Sequence, residues 1–313
     1  MVGADREHWP GVVGVVNSLV ANSAQRERLR ITALAPAGLE PAFCAYLRCH
    51  GLSPSCAERP AGRAASGAAA EFAEGELLRV LGFAYAGPEL KVRTKLTNLE
   101  SPLNFARFYL ASMLPASASK VLYLDADVVV QGDAAELSDQ SLRHGELCAA
   151  TLRKAALGDK GIASLRGAKL GRRFRDRYGI DLPLGEKGFN AGVFVFNLRE
   201  WRALNLTAEA EHWISANNRE KLYALGSQPP LTLAILGARQ GKGRCQPLPA
   251  EWHLDCLGCI GAGRLKTPEQ LKDAKLLHWN GPNKPFATGG RSKRAHRELF
   301  KPYQGRGDKC KVE

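Results

Sequence analysis

At 313 residues, with 45% hydrophobic and 24% charged residues, the chain has the length and composition of a globular protein with one well-buried core, which excludes a disordered or fibrous chain. Forty-four Lys and Arg against 31 Asp and Glu leave a formal charge of +13, which attracts polyanions without choosing among nucleic acid, acidic lipid and acidic polysaccharide. The most apolar N-terminal stretch, 12–21, is short and interrupted by Asn17 and Ser18, so neither a secretory signal nor a membrane anchor is visible.

Residues 1–4 leave room only for a short first strand. Pro10 then opens a helix whose apolar positions Val12, Val13, Val16, Leu19 and Val20 recur at helical spacing. A strand over 30–34 completes a βαβ-type opening. Between 36 and 75 the chain is rich in Ala, Gly, Pro and Arg and weakly periodic, which reads as a loose, poorly ordered connection at the periphery. The pattern of 103–114 predicts a helix ended by Pro115, and 120–124 a buried strand. A basic, Gly-containing segment, 153–188, precedes a second buried strand at 192–197, with helices at 201–204 and 208–217. A short strand, 276–279, leads into a tight Gly281-Pro282-Asn283-Lys284 loop, and the strongly basic 291–313 reads as a solvated tail. The eight cysteines are scattered. Cys256 and Cys259 form a lone CxxC with no partner pair for zinc, so thiols or a disulfide are expected there and the redox compartment stays open.

The chemistry concentrates at Asp125-Ala126-Asp127. On an extended backbone two carboxylates at alternate positions leave from one face and can share a ligand. They repel unless a cation lies between them, and hard oxygen ligands suit Mg²⁺ or Mn²⁺, which also bind diphosphate oxygens. A strand that ends in carboxylates delivers them to the edge where open α/β sheets bind ligands. A lone DxD is a weak signal, since solvated turn residues give the same pattern.

The surrounding segment, KVLYLDADVVVQGDAAEL (120–137), resembles the metal-binding segment of glycosyltransferase family 8, which includes glycogenin and bacterial lipopolysaccharide galactosyltransferases. GFNAGVFVFNLREWR (188–202) resembles the family's second signature and LLHWNGPNKPF (276–286) its HxxGxxKPW closing motif, in the family's order. SPLNFARFYLASMLP (101–115) and LYALGSQPPLTLAI (222–235) are similar to the plant galacturonosyltransferase-like branch, which acts in cell-wall polysaccharide (pectin) synthesis. The likeness runs from about Asp5 to Phe286.

This resemblance implies a GT-A type α/β fold: a single Rossmann-like nucleotide-sugar-binding domain over 1–290, with a mixed, mostly parallel sheet flanked by helices, followed by the 291–313 tail. It implies that Asp125, Asp127 and His278 hold Mn²⁺ (or Mg²⁺). Lys284 and Gly281 would cover the donor diphosphate, and Arg107 would lie near the donor phosphate and sugar. Asn190 and Gln228 would be polar neighbours of the donor sugar, and Asp5 would contact the uridine. The bland readings are a core histidine, a surface lysine, a helix-surface salt bridge and a turn asparagine. Two departures stand out: Gly226-Ser227-Gln228-Pro229-Pro230 replaces the acidic segment of bacterial members, and Phe286 stands where Trp is usual.

The expected activity is that of a retaining hexosyltransferase, moving a hexosyl or hexuronosyl group, such as galacturonate, from a UDP-sugar to a glycan or acidic polysaccharide acceptor. Arg153, Lys154, Lys160, Arg166, Lys169, Arg172, Arg173, Arg175 and Arg177 are candidates to meet an acidic acceptor. Family members of this branch are Golgi proteins with an N-terminal anchor, so a lumenal Golgi location is expected and the abrupt start suggests N-terminal truncation. The alternatives are an inactive relative that only binds a nucleotide sugar and, more distantly, a basic nucleic-acid-binding protein, although no nucleic-acid motif is present.

Overall fold

The computed structural model describes residues 1–56, 71–91, 101–139, 142, 145–156, 168–223, 226–241, 243–259, 266–287, 294–306 and 310. Its elements in chain order begin with β1 (Val2–Gly3), α1 (Trp9–Asn22), β2 (Ile31–Pro36), α2 (Glu40–Cys49), β3 (Pro54–Cys56) and β4 (Leu78–Phe83). A 3-10 segment (Pro102–Phe108), α3 (Leu110–Met113), β5 (Lys120–Leu124), β6 (Val128–Val130) and α4 (Ala135–Ser138) follow. Then come β7 (Cys148–Ala156), α5 (Ala168–Tyr178), β8 (Lys187–Asn197), α6 (Leu198–Ala203), α7 (Leu206–Glu220) and α8 (Gln228–Gly241). The chain closes with β9 (Cys245–Pro247), α9 (Pro268–Asp273), β10 (Leu276–His278) and α10 (Arg294–Glu298).

Eight strands form one mixed sheet in the order β3-β4-β2-β1-β5-β8-β7-β9. The half from β3 to β5 is parallel, and β8 runs antiparallel to both β5 and β7. One face is covered by α1 and α2, through Trp9, Val12, Val16, Phe43 and Leu47. The other is covered by the 3-10 segment and α6 to α8, through Phe108, Trp201, Trp213 and Leu231. Burial on both faces explains why β5 and β8 read as near-continuous apolar runs instead of alternating ones. A second, two-stranded sheet pairs β6 with β10 antiparallel, Val128 opposite His278.

Three sequence expectations need correction. Residues 102–114 are not one α-helix but a 3-10 segment and a short α-turn. The Asn104 carbonyl accepts from Arg107 Nε at 3.1 Å, and the Phe108 carbonyl accepts from Trp201 Nε1 and Thr207 Oγ1, so side chains take acceptors an α-helix needs.

The supposed loose connection is built structure from 40 to 56. There α2 packs Phe43 and Leu47 into the core and β3 extends the sheet, while 57–70 lie outside the described residues. The tail is not simply solvated. Phe300 is fully buried beside Trp279 and Phe286, and Cys310 is bonded to Cys49, so one aromatic anchor and a crosslink dock a basic segment. The state of the cysteines, left open by the sequence, is decided by the fold: every cysteine is paired, as Cys44–Cys56, Cys49–Cys310, Cys148–Cys245 and Cys256–Cys259.

Among the described residues no helix is long and apolar enough to cross a membrane. Of the basic 153–178 segment, Lys160 and Arg166 lie outside the described residues. On α5, Arg173 and Arg177 both pair with Glu220, and Arg175 pairs with Asp181.

Candidate active site

The centre of the sheet aims the acidic motif. The Leu124 N–H donates to the Met1 carbonyl and the Asp125 N–H to the Gly192 carbonyl at 2.8 Å, so β5 ends pinned between β1 and β8 at the C-terminal edge of its parallel half. Asp125-Ala126-Asp127 then turns into β6. The expectation of an extended DxD is therefore corrected: the carboxylates converge because the backbone turns. Trp279 N–H donates to the Asp127 carbonyl at 2.9 Å, which carries His278, on the neighbouring strand, into the same space. One ligand atom from each of Asp125, Asp127 and His278 lies within 4.8 Å of the others. His278 Nε2 is 3.1 Å from Asp127 Oδ1 and 3.9 Å from Asp125 Oδ2.

Two cations flank this cluster. The buried Arg107 guanidinium donates to Asp125 Oδ1 at 3.0 Å, to the Ala191 carbonyl at 2.6 Å and to Asn104 Oδ1 at 3.1 Å, over the face of Tyr123. Burial alone would weaken its hold on the proton, yet Tyr123, Asp125 and Asp127 keep its pKa above the ordinary arginine value. The Lys284 ammonium donates to Asp127 Oδ2 and, at 3.4 Å, to the Trp279 carbonyl. Burial likewise pushes the Asp127 carboxyl up, but Lys284 and His278 outweigh it and hold the group well below the usual carboxylate range.

A cleft of about 630 Å³ opens over this centre. Its walls come from Gly3 at the end of β1 with Ala4 and Asp5 beyond it, from Glu7 and His8, from Ser101, Leu103, Asn104 and Arg107, and from Asn280, Gly281, Lys284 and Phe286 of the closing loop. Gly281 has φ of +106°, a region that favours glycine, and a Cβ there would sit 2.8 Å from the Gly258 carbonyl. Phe286 meets the His8 ring edge-on at 5.7 Å and also packs on Phe300, so the phenyl ring keeps an aromatic contact at the loop's end.

Seven of the nine sequence candidates thus share one cleft: Asp5, Arg107, Asp125, Asp127, His278, Gly281 and Lys284. Asn190 and Gln228 do not line it. Asn190 Oδ1 accepts from Gly192 N–H at 2.8 Å, and Gln228 Oε1 accepts from Ala191 N–H at 3.5 Å, so both brace the β8 backbone behind Asp125.

The sequence reading passed over four residues. Asn104 joins Arg107 to Ser227 Oγ, and its spacing three before Arg107 was the available signal. Gly192 leaves the space that His278 and Asp125 occupy, since a Cβ there would fall onto His278 Cε1 and Asp125 Oδ2. His253 and Thr151 stand behind His278 with no sequence signal at all. Two carboxylates and one imidazole around a cradle that a methyl group would fill suit a hard to borderline divalent cation such as Mn²⁺ or Mg²⁺.

Residues 1–288 match the family model for glycosyl transferase family 8. Glycosyltransferase 8 domain-containing protein 1 of Danio rerio is 36% identical over 210 residues, covering 63% of this chain and 55% of that protein. The protein of the same name from Homo sapiens is 36% identical over 196 residues, covering 59% and 51%. The probable galacturonosyltransferase-like 3 of Arabidopsis thaliana is 31% identical over 203 residues, covering 62% and 54%. The chain therefore spans about half the length of the curated relatives it matches. Among solved structures, the galactosyltransferase LgtC in complex with donor and acceptor sugar analogues superimposes with a TM-score of 0.58 at 20% identity, covering 97% of this chain and 94% of that one. An active-site mutant of LgtC gives 0.62 at 20% identity, covering 96% and 93%. These structural likenesses show a GT-A type fold, and with the family match over nearly its whole length the chain belongs to glycosyltransferase family 8.

Proposed function

We propose that the protein is a divalent-cation-dependent retaining hexosyltransferase that moves a hexosyl or hexuronosyl group from a UDP-sugar to a hydroxyl of a glycan acceptor. The observation that carries this reading is the meeting of Asp125, Asp127 and His278 within 4.8 Å, flanked by Lys284 and Arg107, at the floor of one cleft. Breaking a sugar–diphosphate bond develops negative charge on the departing phosphate and positive charge on the ring. Mn²⁺ or Mg²⁺ held by the three residues would supply Lewis-acid stabilisation of the diphosphate.

The chain's own groups do the rest. Lys284, on the Gly281 loop, turns a fixed positive charge toward the phosphates, and Gly281 lets the loop backbone approach them. Arg107, locked by Asp125, the Ala191 carbonyl and Asn104, places a second fixed positive charge in the cleft wall without reorganising. Asp5 at the end of β1 is assigned to the uridine. Asn190 and Gln228 brace the β8 edge, and with no carboxylate in 226–230 the acceptor hydroxyl attacks the anomeric carbon from the face the diphosphate leaves, its proton passing to the departing phosphate oxygen, so that anomeric configuration is preserved.

A pectin-like polyuronide is the acceptor that the resemblance to the plant branch points to, and a net charge of +13 accommodates an acidic chain without selecting it. The four disulfides among the described residues favour an oxidising secretory compartment, the Golgi lumen by family resemblance. A panel of UDP-sugars, scored for UDP release with and without Mn²⁺ and with and without oligogalacturonide, tests the reading. Metal-dependent turnover of one donor is the expected result. Donor binding without turnover of any member of the panel would instead identify an inactive nucleotide-sugar-binding relative.

A further inference from the structure

His278 is 1% exposed, so both of its ring nitrogens must be satisfied inside the protein. Nε2 faces the two aspartates. Nδ1 lies 2.7 Å from Nε2 of His253, and His253 Nδ1 is hydrogen-bonded to Thr151 Oγ1. The two imidazoles are edge to edge: ring centroids 5.0 Å apart and planes inclined by 23° leave the facing nitrogens as the closest atoms, in line for one shared proton. Backbone bonds hold the pair in place, because His278 N–H donates to the Leu254 carbonyl and Leu254 N–H to the Leu276 carbonyl. His253 and Thr151 are also buried, at 9% and 6% exposure.

Resting on the cation-site reading above, we infer that His253, backed by Thr151, is a positioning residue that fixes the His278 tautomer for cation binding. An imidazole offers a bare Nε2 to a cation only when its ring proton is on Nδ1. His253 Nε2 is the acceptor that holds that proton. It accepts when its own proton sits on Nδ1 and points at the Thr151 hydroxyl. The chain of three therefore runs from the strand carrying Thr151 to the cation, and it orients the ring while raising its donor strength, as an outer hydrogen-bond partner does. The hydroxyl matters because it both donates and accepts. With no cation, the same three groups close in the opposite sense, with His278 Nε2–H donated to Asp127 and the Thr151 hydroxyl donated to His253.

The test measures cation binding and tautomer, not turnover. Mn²⁺ affinity, read by electron paramagnetic resonance of free ion with and without UDP, is expected to fall about 10- to 100-fold in His253→Phe, which keeps a ring and removes the acceptor. His253→Gln, whose carbonyl oxygen reaches the same point, is expected to recover most of the loss. Thr151→Val, nearly isosteric, should lose affinity by a smaller factor, and it decides the matter should His253→Phe not fold. In ¹⁵N-histidine protein at a Mg²⁺ concentration that saturates the wild type, long-range ¹H–¹⁵N spectra should report His278 as the Nδ1–H tautomer, and in Thr151→Val at the same concentration as a mixture of cation-bound and cation-free forms.

Wild-type Mn²⁺ affinity in both His253→Phe and Thr151→Val, with the His278 tautomer unchanged, overturns the inference and leaves the metal site standing. Equal Mn²⁺ binding by wild type and His278→Ala would instead remove the metal site, and the inference with it.

Discussion

His278 Nε2 lies 3.1 Å from Asp127 Oδ1 although 151 positions separate the two residues, and the backbone imposes the meeting. The β6 and β10 strands pair with Val128 opposite His278, and Trp279 N–H closes on the Asp127 carbonyl. A register slip of one residue would turn the imidazole to the other face of β10. The cleft chemistry therefore depends on a two-stranded sheet that is only three residues long on each side.

Removal of either carboxylate tests the centre directly. Asp125→Ala removes the carboxylate from Arg107, which keeps its bonds to Ala191 and Asn104, and Asp127→Ala removes the carboxylate that Lys284 and His278 share. UDP release is expected to fall by about 10²-fold or more in each, on the scale of a lost fixed electrostatic contact in a catalytic site. Mn²⁺-dependent release at wild-type rates in either variant contradicts the assigned role.

Gly192→Ala probes the cradle behind the carboxylates. The added methyl would fall onto His278 Cε1 and Asp125 Oδ2, so both side chains must shift. The expected cost is about 1–3 kcal/mol of stability, typical of overpacking, together with weakened Mn²⁺ binding. Gly185→Ala serves as control, because a Cβ there meets nothing within 4 Å. Denaturant midpoints and metal affinities that are the same for both variants would refute the crowding argument.

Acid sensitivity has a traceable source at Glu76. Arg79 grips both carboxylate oxygens, and Ser55 and the Ala73 N–H add donors, so despite partial burial the Glu76 pKa is pulled down to about 2. A depressed carboxylate stabilises the fold fully above its unfolded value, about 4.3, and the contribution is lost as pH falls through the folded value. Glu76→Gln should therefore lower the thermal midpoint near neutral pH and flatten its decline between about pH 4 and pH 2. Parallel midpoint curves for wild type and variant would exclude this linkage.

The Cys49–Cys310 bond joins positions 261 residues apart and ties the C-terminal segment to α2. Replacing both with Ser is expected to cost roughly 2–5 kcal/mol under oxidising conditions. The loss should be smaller when the wild type is measured in reductant. Limited proteolysis should then cut the Cys49→Ser, Cys310→Ser protein first near its C-terminus. Equal thermal midpoints in the oxidised proteins would show that Phe300 alone suffices to dock the segment.

Much of the site was legible because most of its residues lie in three short segments that resemble, in order, the motifs of a known family. Asp125 and Asp127 after an apolar strand, His278 and Lys284 around Gly281, and Arg107 before Pro115 each have a bland local reading, and the motif context is what singles them out. Elements read from periodicity also fell where expected, with α1 over Trp9–Asn22 and β8 ending at Asn197. The misreadings share a cause. The helix expected over 103–114 failed because Trp201, Thr207 and Arg107 claim its carbonyls, and the docked tail escaped notice because one buried Phe300 outweighs many surface charges. Trp201 and Thr207 lie outside the window 103–114, and Trp279 and Phe286, on which Phe300 packs, lie outside the tail.

The sequence by itself determined which family motifs are present, and with them which segments carry side chains able to ligate a cation or neutralise phosphate. It also determined the apolar strands that build the sheet, because burial on both faces demands continuous hydrophobic runs. Only the tertiary structure decided which groups work together. Strand register brings His278 to Asp127, the fold sets Asn190 and Gln228 behind the cleft instead of on its wall, and chain closure pairs all eight cysteines. It also seats His253 and Thr151 behind the imidazole. Those contacts span positions far apart in the chain, and their energies depend on distances that exist only once the backbone has closed.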